Sequence, residues 1–222
     1  MKGKMTAMKN PLLQIIALAA LLFTLGAPTS FASGISVNVS IDTSGLPTSP
    51  GSKIFFIFTD GSGTGDANNT ATLTAFALGG GTVGAVDFAN TFGGATGDMS
   101  STVSLTDSFF TNVFAETFSA GSSLSFLLNL TTNLDAGGTP DQFSIAIADP
   151  SGIFISTSDP TGFNNLLVIN LDSASPSTST YSSLVTASSP GPIITPEPAT
   201  IFLMTAGLAA IALRFRRSPA PS

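Results

Sequence analysis

Between Ser33 and Pro192 the chain is written as short runs in which apolar and polar residues alternate, each run closed by Gly, Pro, Asn or Asp. A period of two puts successive side chains on opposite faces of a strand, so such runs form half-buried β-strands and cannot make the apolar stripe of a helix. The clearest are residues 35–41 (ISVNVSI), 70–78 (TATLTAFAL), 123–131 (SLSFLLNLT) and 142–148 (QFSIAIA). Residues 53–59 (KIFFIFT) are almost continuously apolar, the mark of a strand covered on both faces. Shorter strands are expected at 101–107, 111–118, 152–156 and 166–172, and a last one around 181–185. Residues 113–117 are also compatible with one helical turn. Glycine clusters such as Gly79-Gly80-Gly81 and the Asp149-Pro150 and Asp159-Pro160 steps punctuate the runs. Many short strands at this spacing predict an all-β body over residues 33–187, a β-sandwich of jelly-roll-like type.

Two absences limit the chemistry of that body. The chain has no Cys and no His. Disulfides, Cys–His and Ser–His nucleophile pairs and His-ligated metals are therefore excluded, and stability must come from the core. The body holds twelve acidic residues against a single Lys, Lys53, for a net charge of −11. A surface of that sign repels nucleic acid.

The other cations sit at the chain ends. Lys2, Lys4 and Lys9 precede an uncharged run at residues 12–25, which is too short for an ordinary span and right for the apolar region of a signal peptide. Ala27-Pro28 breaks that helix, and Ser30-Phe31-Ala32 puts small residues where signal peptidase reads, so cleavage is expected after Ala32. An uncleaved N-terminal anchor is the competing reading. At the other end, residues 199–213 (ATIFLMTAGLAAIAL) are uncharged and are followed by Arg214, Arg216 and Arg217. A helix of that length spans about 22 Å, short of a ~30 Å hydrocarbon core, but snorkelling Arg side chains make up the difference. Its insertion is favoured by roughly 2–4 kcal/mol in sum. The basic side should stay in the cytoplasm, with residues 218–222 as a short cytoplasmic end. Pro196-Glu197-Pro198 stands just before the helix, held extended by its two prolines. Residues 188–195, rich in Ser and Pro, read as a spacer.

The order Pro196-Glu197-Pro198, short apolar helix, Arg cluster resembles the PEP-CTERM sorting signal of Gram-negative bacteria. Thr195 stands where that family usually has Val, and five residues trail the Arg cluster. The resemblance implies a tail at residues 196–217 recognised by exosortase, a membrane-embedded transpeptidase-like enzyme, with the protein held briefly at the inner membrane. The protein would then pass to the cell envelope, the outer surface or an exopolysaccharide matrix. The body resembles exported proteins that carry the same tail, in KIFFIFT, in the Gly97-Asp98 step and in the paired Asp-Pro turns.

Three functions remain to be weighed for the body. A non-enzymatic structural or adhesive role fits the composition best. A carbohydrate- or calcium-binding module is the alternative. Asp60-Gly-Ser-Gly-Thr-Gly-Asp66 has oxygen ligands at alternate positions, which makes Asp60 and Asp66 weak calcium candidates, but Ala71 occupies the place of the closing Glu. No cofactor is expected. A hydrolase would need paired carboxylates, drawn from Asp98, Asp107, Glu116, Asp141 and Asp149. Most of these stand beside turn residues, where Asp ordinarily caps backbone groups.

Overall fold

The computed structural model describes residues 34–193 apart from 49, 64, 134–138 and 172–175, with side chains through Ser188. Ala32, the apolar N-terminal run and the whole tail, from Pro196 through Arg217, lie outside the described residues.

Twelve strands are present among the described residues: β1 (Gly34–Asp42), β2 (Ser52–Thr59), β3 (Thr70–Ala77), β4 (Thr82–Val86), β5 (Gly94–Gly97), β6 (Val103–Thr106), β7 (Thr111–Ser119), β8 (Ser123–Thr131), β9 (Asp141–Ala148), β10 (Leu167–Leu171), β11 (Ser177–Thr180) and β12 (Val185–Ile193). They form two antiparallel sheets, ordered β12-β1-β8-β3-β6-β5 and β11-β10-β9-β2-β7-β4. No helix occurs among the described residues. Residues 113–117, where a helical turn was an option, lie inside β7.

Alternation decides which side chains meet. Val37, Val39 and Ile41 of β1 point inward with Leu124, Phe126, Leu128 and Leu130 of β8. From the other sheet come Ile54, Phe56 and Phe58 of β2 and Phe143, Ile145 and Ile147 of β9, in the same buried cluster. Phe56 is its aromatic centre: the rings of Phe126, Phe76, Phe114 and Phe143 lie 5.3, 6.2, 6.2 and 6.4 Å from it. Phe76 reaches the cluster because β3 bulges between Thr74 and Ala77, with Ala75 at a φ of 55°. The extra residue reverses the facing of the strand beyond it, so Phe76 takes the inward side and packs 5.4 Å from Phe126.

The outer faces of the two sheets differ. The first presents Asn38, Ser40 and Asp42, all exposed, together with Thr70, Thr72, Ser125 and Asn129. The second presents Phe55, Ile57, Val113, Ala115 and Ala146. Loops cover much of that apolar face: Phe154 packs 5.2 Å from Phe55. This double cover is why KIFFIFT and FSIAIA read as continuous apolar runs.

Three expectations need correction. Residues 188–193 are not spacer but the second half of β12: Ser188 pairs with Asn38, Gly191 with Ser36 and Ile193 with Gly34. Prolines 190 and 192 are tolerated because β12 is an edge strand and its register shifts opposite Ser36–Asn38, so ladder donors are not needed there. Residues 152–156 form no strand, only an isolated bridge from Phe154 to Ala148. Residues 181–184 are a turn between β11 and β12 rather than a strand.

Candidate functional site

The acidic residues separate into turn caps and buried groups. Asp60 leaves the end of β2 and folds its own loop. Its Oδ1 accepts hydrogen bonds from Ser62 N (2.7 Å), Ser62 Oγ (2.7 Å) and Gly63 N (2.9 Å), and its Oδ2 from Gly65 N (2.5 Å). Burial pushes its pKa up, but the donors from Ser62, Gly65 and Gly63 prevail and hold it below the usual carboxylate range. Asp66 is exposed and accepts from Asn68 N and Nδ2. The two calcium candidates are thus each hydrogen-bonded within their own loop. Asp98 caps the β5–β6 turn through Ser100, and Asp149 accepts from Ser151 N (2.8 Å) and Ile153 N (2.9 Å).

Asp107 and Asp141 behave differently. Asp107 follows the last residue of β6 and Asp141 begins β9, so the two belong to different sheets. Their carboxyls meet in hydrogen-bonding contact at one end of the body, both buried. Asn69, also buried, joins them. Its N–H donates to Asp107 Oδ2 (3.0 Å) and Oδ1 (3.1 Å), and its Nδ2 donates to Asp141 Oδ2 (2.7 Å) and Asn133 O (2.8 Å). Its Oδ1 accepts from Asn133 N (2.7 Å) and Thr131 Oγ1 (3.1 Å). Gly61 N closes the cluster on Asp141 Oδ1 at 2.7 Å. Burial pushes the Asp107 carboxyl up to about 7; the Asn69 N–H opposes this, while the Asp141 carboxyl and the Asp66 charge add to it. The Asp107 carboxyl thus keeps its proton until the pH nears 7, and the cluster clasps three loops together.

Glu116 stands apart, on the inward face of β7 between Phe114 and Phe118. Met99 N donates to its Oε2 at 2.8 Å. Burial raises its pKa, the Met99 donor opposes that, and the charge of Asp98 adds to the rise. Among the described residues no group of three or more acidic side chains is placed to hold a metal ion.

Of the five carboxylates considered for paired chemistry, then, the fold brings together Asp107 and Asp141, sets Asp98 near enough to Glu116 for its charge to act there, and leaves Asp149 in its own turn. Asn69, the hub of the cluster, carried no signal beyond its place just before a strand. The fit around Gly61 is tight: a Cβ there would lie 2.4 Å from Thr139 O and 2.5 Å from Pro140 O. Gly61→Ala should therefore displace the β8–β9 loop, stretch the bond to Asp141, and cost about 1–3 kcal/mol in urea unfolding.

The tail has its own comparison. Residues 195–217 match the PEP-CTERM protein-sorting motif, which implies an exported protein sorted at a membrane by exosortase. No curated protein matches the chain, and no solved structure does. The chain therefore carries a PEP-CTERM protein-sorting motif at residues 195–217, behind a body that is all-β, with two antiparallel sheets, among the described residues.

Proposed function

We propose that this chain is a cell-surface or exopolysaccharide-matrix protein of a Gram-negative envelope, with a non-enzymatic structural or adhesive body. Signal peptidase removes residues 1–32, the 199–213 helix holds the chain in the inner membrane, and exosortase acts near Pro196-Glu197-Pro198. The motif match over residues 195–217 carries this reading. The body supports it in two ways. Asp60, Asp98 and Asp149 are engaged in shaping turns. The Asp107–Asp141 pair is at most 3% exposed, which leaves no room for a substrate between the carboxyls.

The body's architecture in this reading is a jelly roll. The strand order β1-β8-β3-β6 on one side and β2-β7-β4 on the other supports it, since a jelly roll wound from eight strands has that alternation. On this reading β5 has moved beside β6, β9, β10 and β11 extend one sheet past β2, and β12 extends the other past β1.

The test is the intact mass of the exported protein in a host with exosortase and in the same host without it. The expected result is loss of the tail beyond the Pro196–Pro198 region only when the enzyme is present. Replacing Arg214, Arg216 and Arg217 by Ala should abolish this processing, because the tail then lacks its basic stop. A tail that persists in exported protein from the competent host would overturn the reading.

A further inference from the structure

The end of the body from which the tail leaves also carries an exposed apolar loop. Gly34, where β1 begins, is paired with Ile193 and with Thr131. Beside them lie Thr70, Thr106 and Gly94, the ends of β3, β6 and β5. From Thr106 the chain turns into β7 through residues 107–110, so that turn sits at the same end. Its tip is Phe109-Phe110, 59% and 61% exposed.

The tip is held outward. Phe109 O accepts from Asn112 Nδ2 (2.7 Å) and Phe110 O from Asp60 N (3.0 Å). Gly65, at a φ of 66°, backs the loop so closely that a Cβ there would lie 2.6 Å from Ser108 O. A backbone fixed at three points keeps both rings from folding back onto the body. Two adjacent exposed Phe side chains are unfavourable in water and favourable at a lipid interface.

The chain length supplies the occupant. Ile193 is the last paired residue, and only residues 194–198 separate it from the apolar run that starts at Ala199. Five residues reach at most roughly 17 Å. A membrane that holds the tail is therefore within about 17 Å of Ile193, the last paired residue at this end of the body. We infer that Phe109 and Phe110 dock the tail-bearing end of the body onto the lipid surface for as long as the tail is attached. The body's net charge of −11 disfavours an anionic surface, so the surface is a zwitterionic one. Docking would hold the Pro196–Pro198 segment at the bilayer surface, where a membrane-embedded enzyme acts. The inference rests on the proposed membrane tail.

The chain has no Cys, so a single engineered Cys gives one unambiguous label. Full-length Phe109→Cys, carrying an environment-sensitive fluorophore, is reconstituted into phosphatidylcholine vesicles containing shallow brominated lipid. Ile153→Cys is the control: it is 68% exposed and lies in the turn beyond Ala148, at the far end of β9. The expected result is at least about twofold stronger quenching at position 109 than at 153, falling to the control level when Phe110→Ser is added. Equal quenching at both positions overturns the docking, and so does quenching that survives Phe110→Ser, since that reports the tether alone. Carbonate extraction separates the two failures: a chain washed from the vesicles overturns the membrane tail itself, whereas a retained chain with unquenched label overturns only the docking.

Discussion

Phe56→Ala should remove about 3–5 kcal/mol of unfolding free energy. Phe56 is fully buried, and four other rings lie within 6.4 Å of it: Phe76, Phe114, Phe126 and Phe143. Phe126 and Phe76 belong to one sheet and Phe114 and Phe143 to the other, so this side chain is where the layers lock. The pleated backbone around it cannot collapse into the void without breaking the β2 ladders to β7 and β9. A domain of this size is commonly stable by only about 5–15 kcal/mol, so the loss is a large share of the whole. Urea unfolding followed by circular dichroism measures it. Phe88→Ala, at a ring 82% exposed, is the matched control and should change little. A loss for Phe56→Ala no greater than that of the control would mean that the layers are joined elsewhere.

Stability should fall as the pH rises from about 4 to 7. The Asp107 carboxyl, raised to about 7 in the folded protein, keeps its proton over that range while the unfolded chain, with an ordinary value near 3.8, gives it up. The unfolded state then binds fewer protons, and stability declines with pH until the folded carboxyl also ionises. Each unit of separation is worth about 1.4 kcal/mol, so the decline amounts to a few kcal/mol. Glu116, also raised by burial, contributes in the same direction. Asp60 and Asp159 act oppositely. Their carboxyls are held low by donors that outweigh burial, and they lose their stabilising contribution as the pH drops through their folded values. The melting temperature should therefore peak near pH 4–5. Asp107→Asn mimics the protonated form, because an amide can accept from Asn69 N and donate to Asp141. It should be more stable than the parent at pH 8 and lose most of the slope, leaving the part due to Glu116. A variant with the parent's full slope would show that the pair is not its source.

How much of this was legible from the residues depends on where each strand draws its stabilisation. β1, β2, β8 and β9 are specified by their own alternation, and their positions follow from the sequence within a residue or two. β4 (TVGAV) and β5 (GATG) are not. Their glycines signal turns, and they are strands because β7 and β6 offer them partners. β11 (STST) has no apolar pattern and exists through its pairing with β10. β12 was hidden by Pro190 and Pro192, which suit an edge and would not suit a central strand. The candidate site was half visible. Asp107 and Asp141 were among the carboxylates considered, but 34 positions separate them in the chain and only the packing of the two sheets brings them into contact. Asn69 was invisible because its role is set entirely by the loops that converge on it.

The pairing of Gly34 with Ile193 has a mechanical consequence. β12 runs antiparallel to β1 and ends at Ile193, so a pull on Ile193 directed along the strand would draw β12 lengthwise past β1. The register from Ile193 to Val185 is then loaded in shear, with its ladder bonds sharing the force, instead of being unzipped one pair at a time. The N-terminal residue of β1 lies beside the point of pull and takes none of it directly. A body fixed to a surface through its C-terminal end would resist drag far better than the same sheet pulled from a strand end that peels. An edge strand interrupted by two prolines thus becomes the tensile grip between the folded layers and whatever holds the tail.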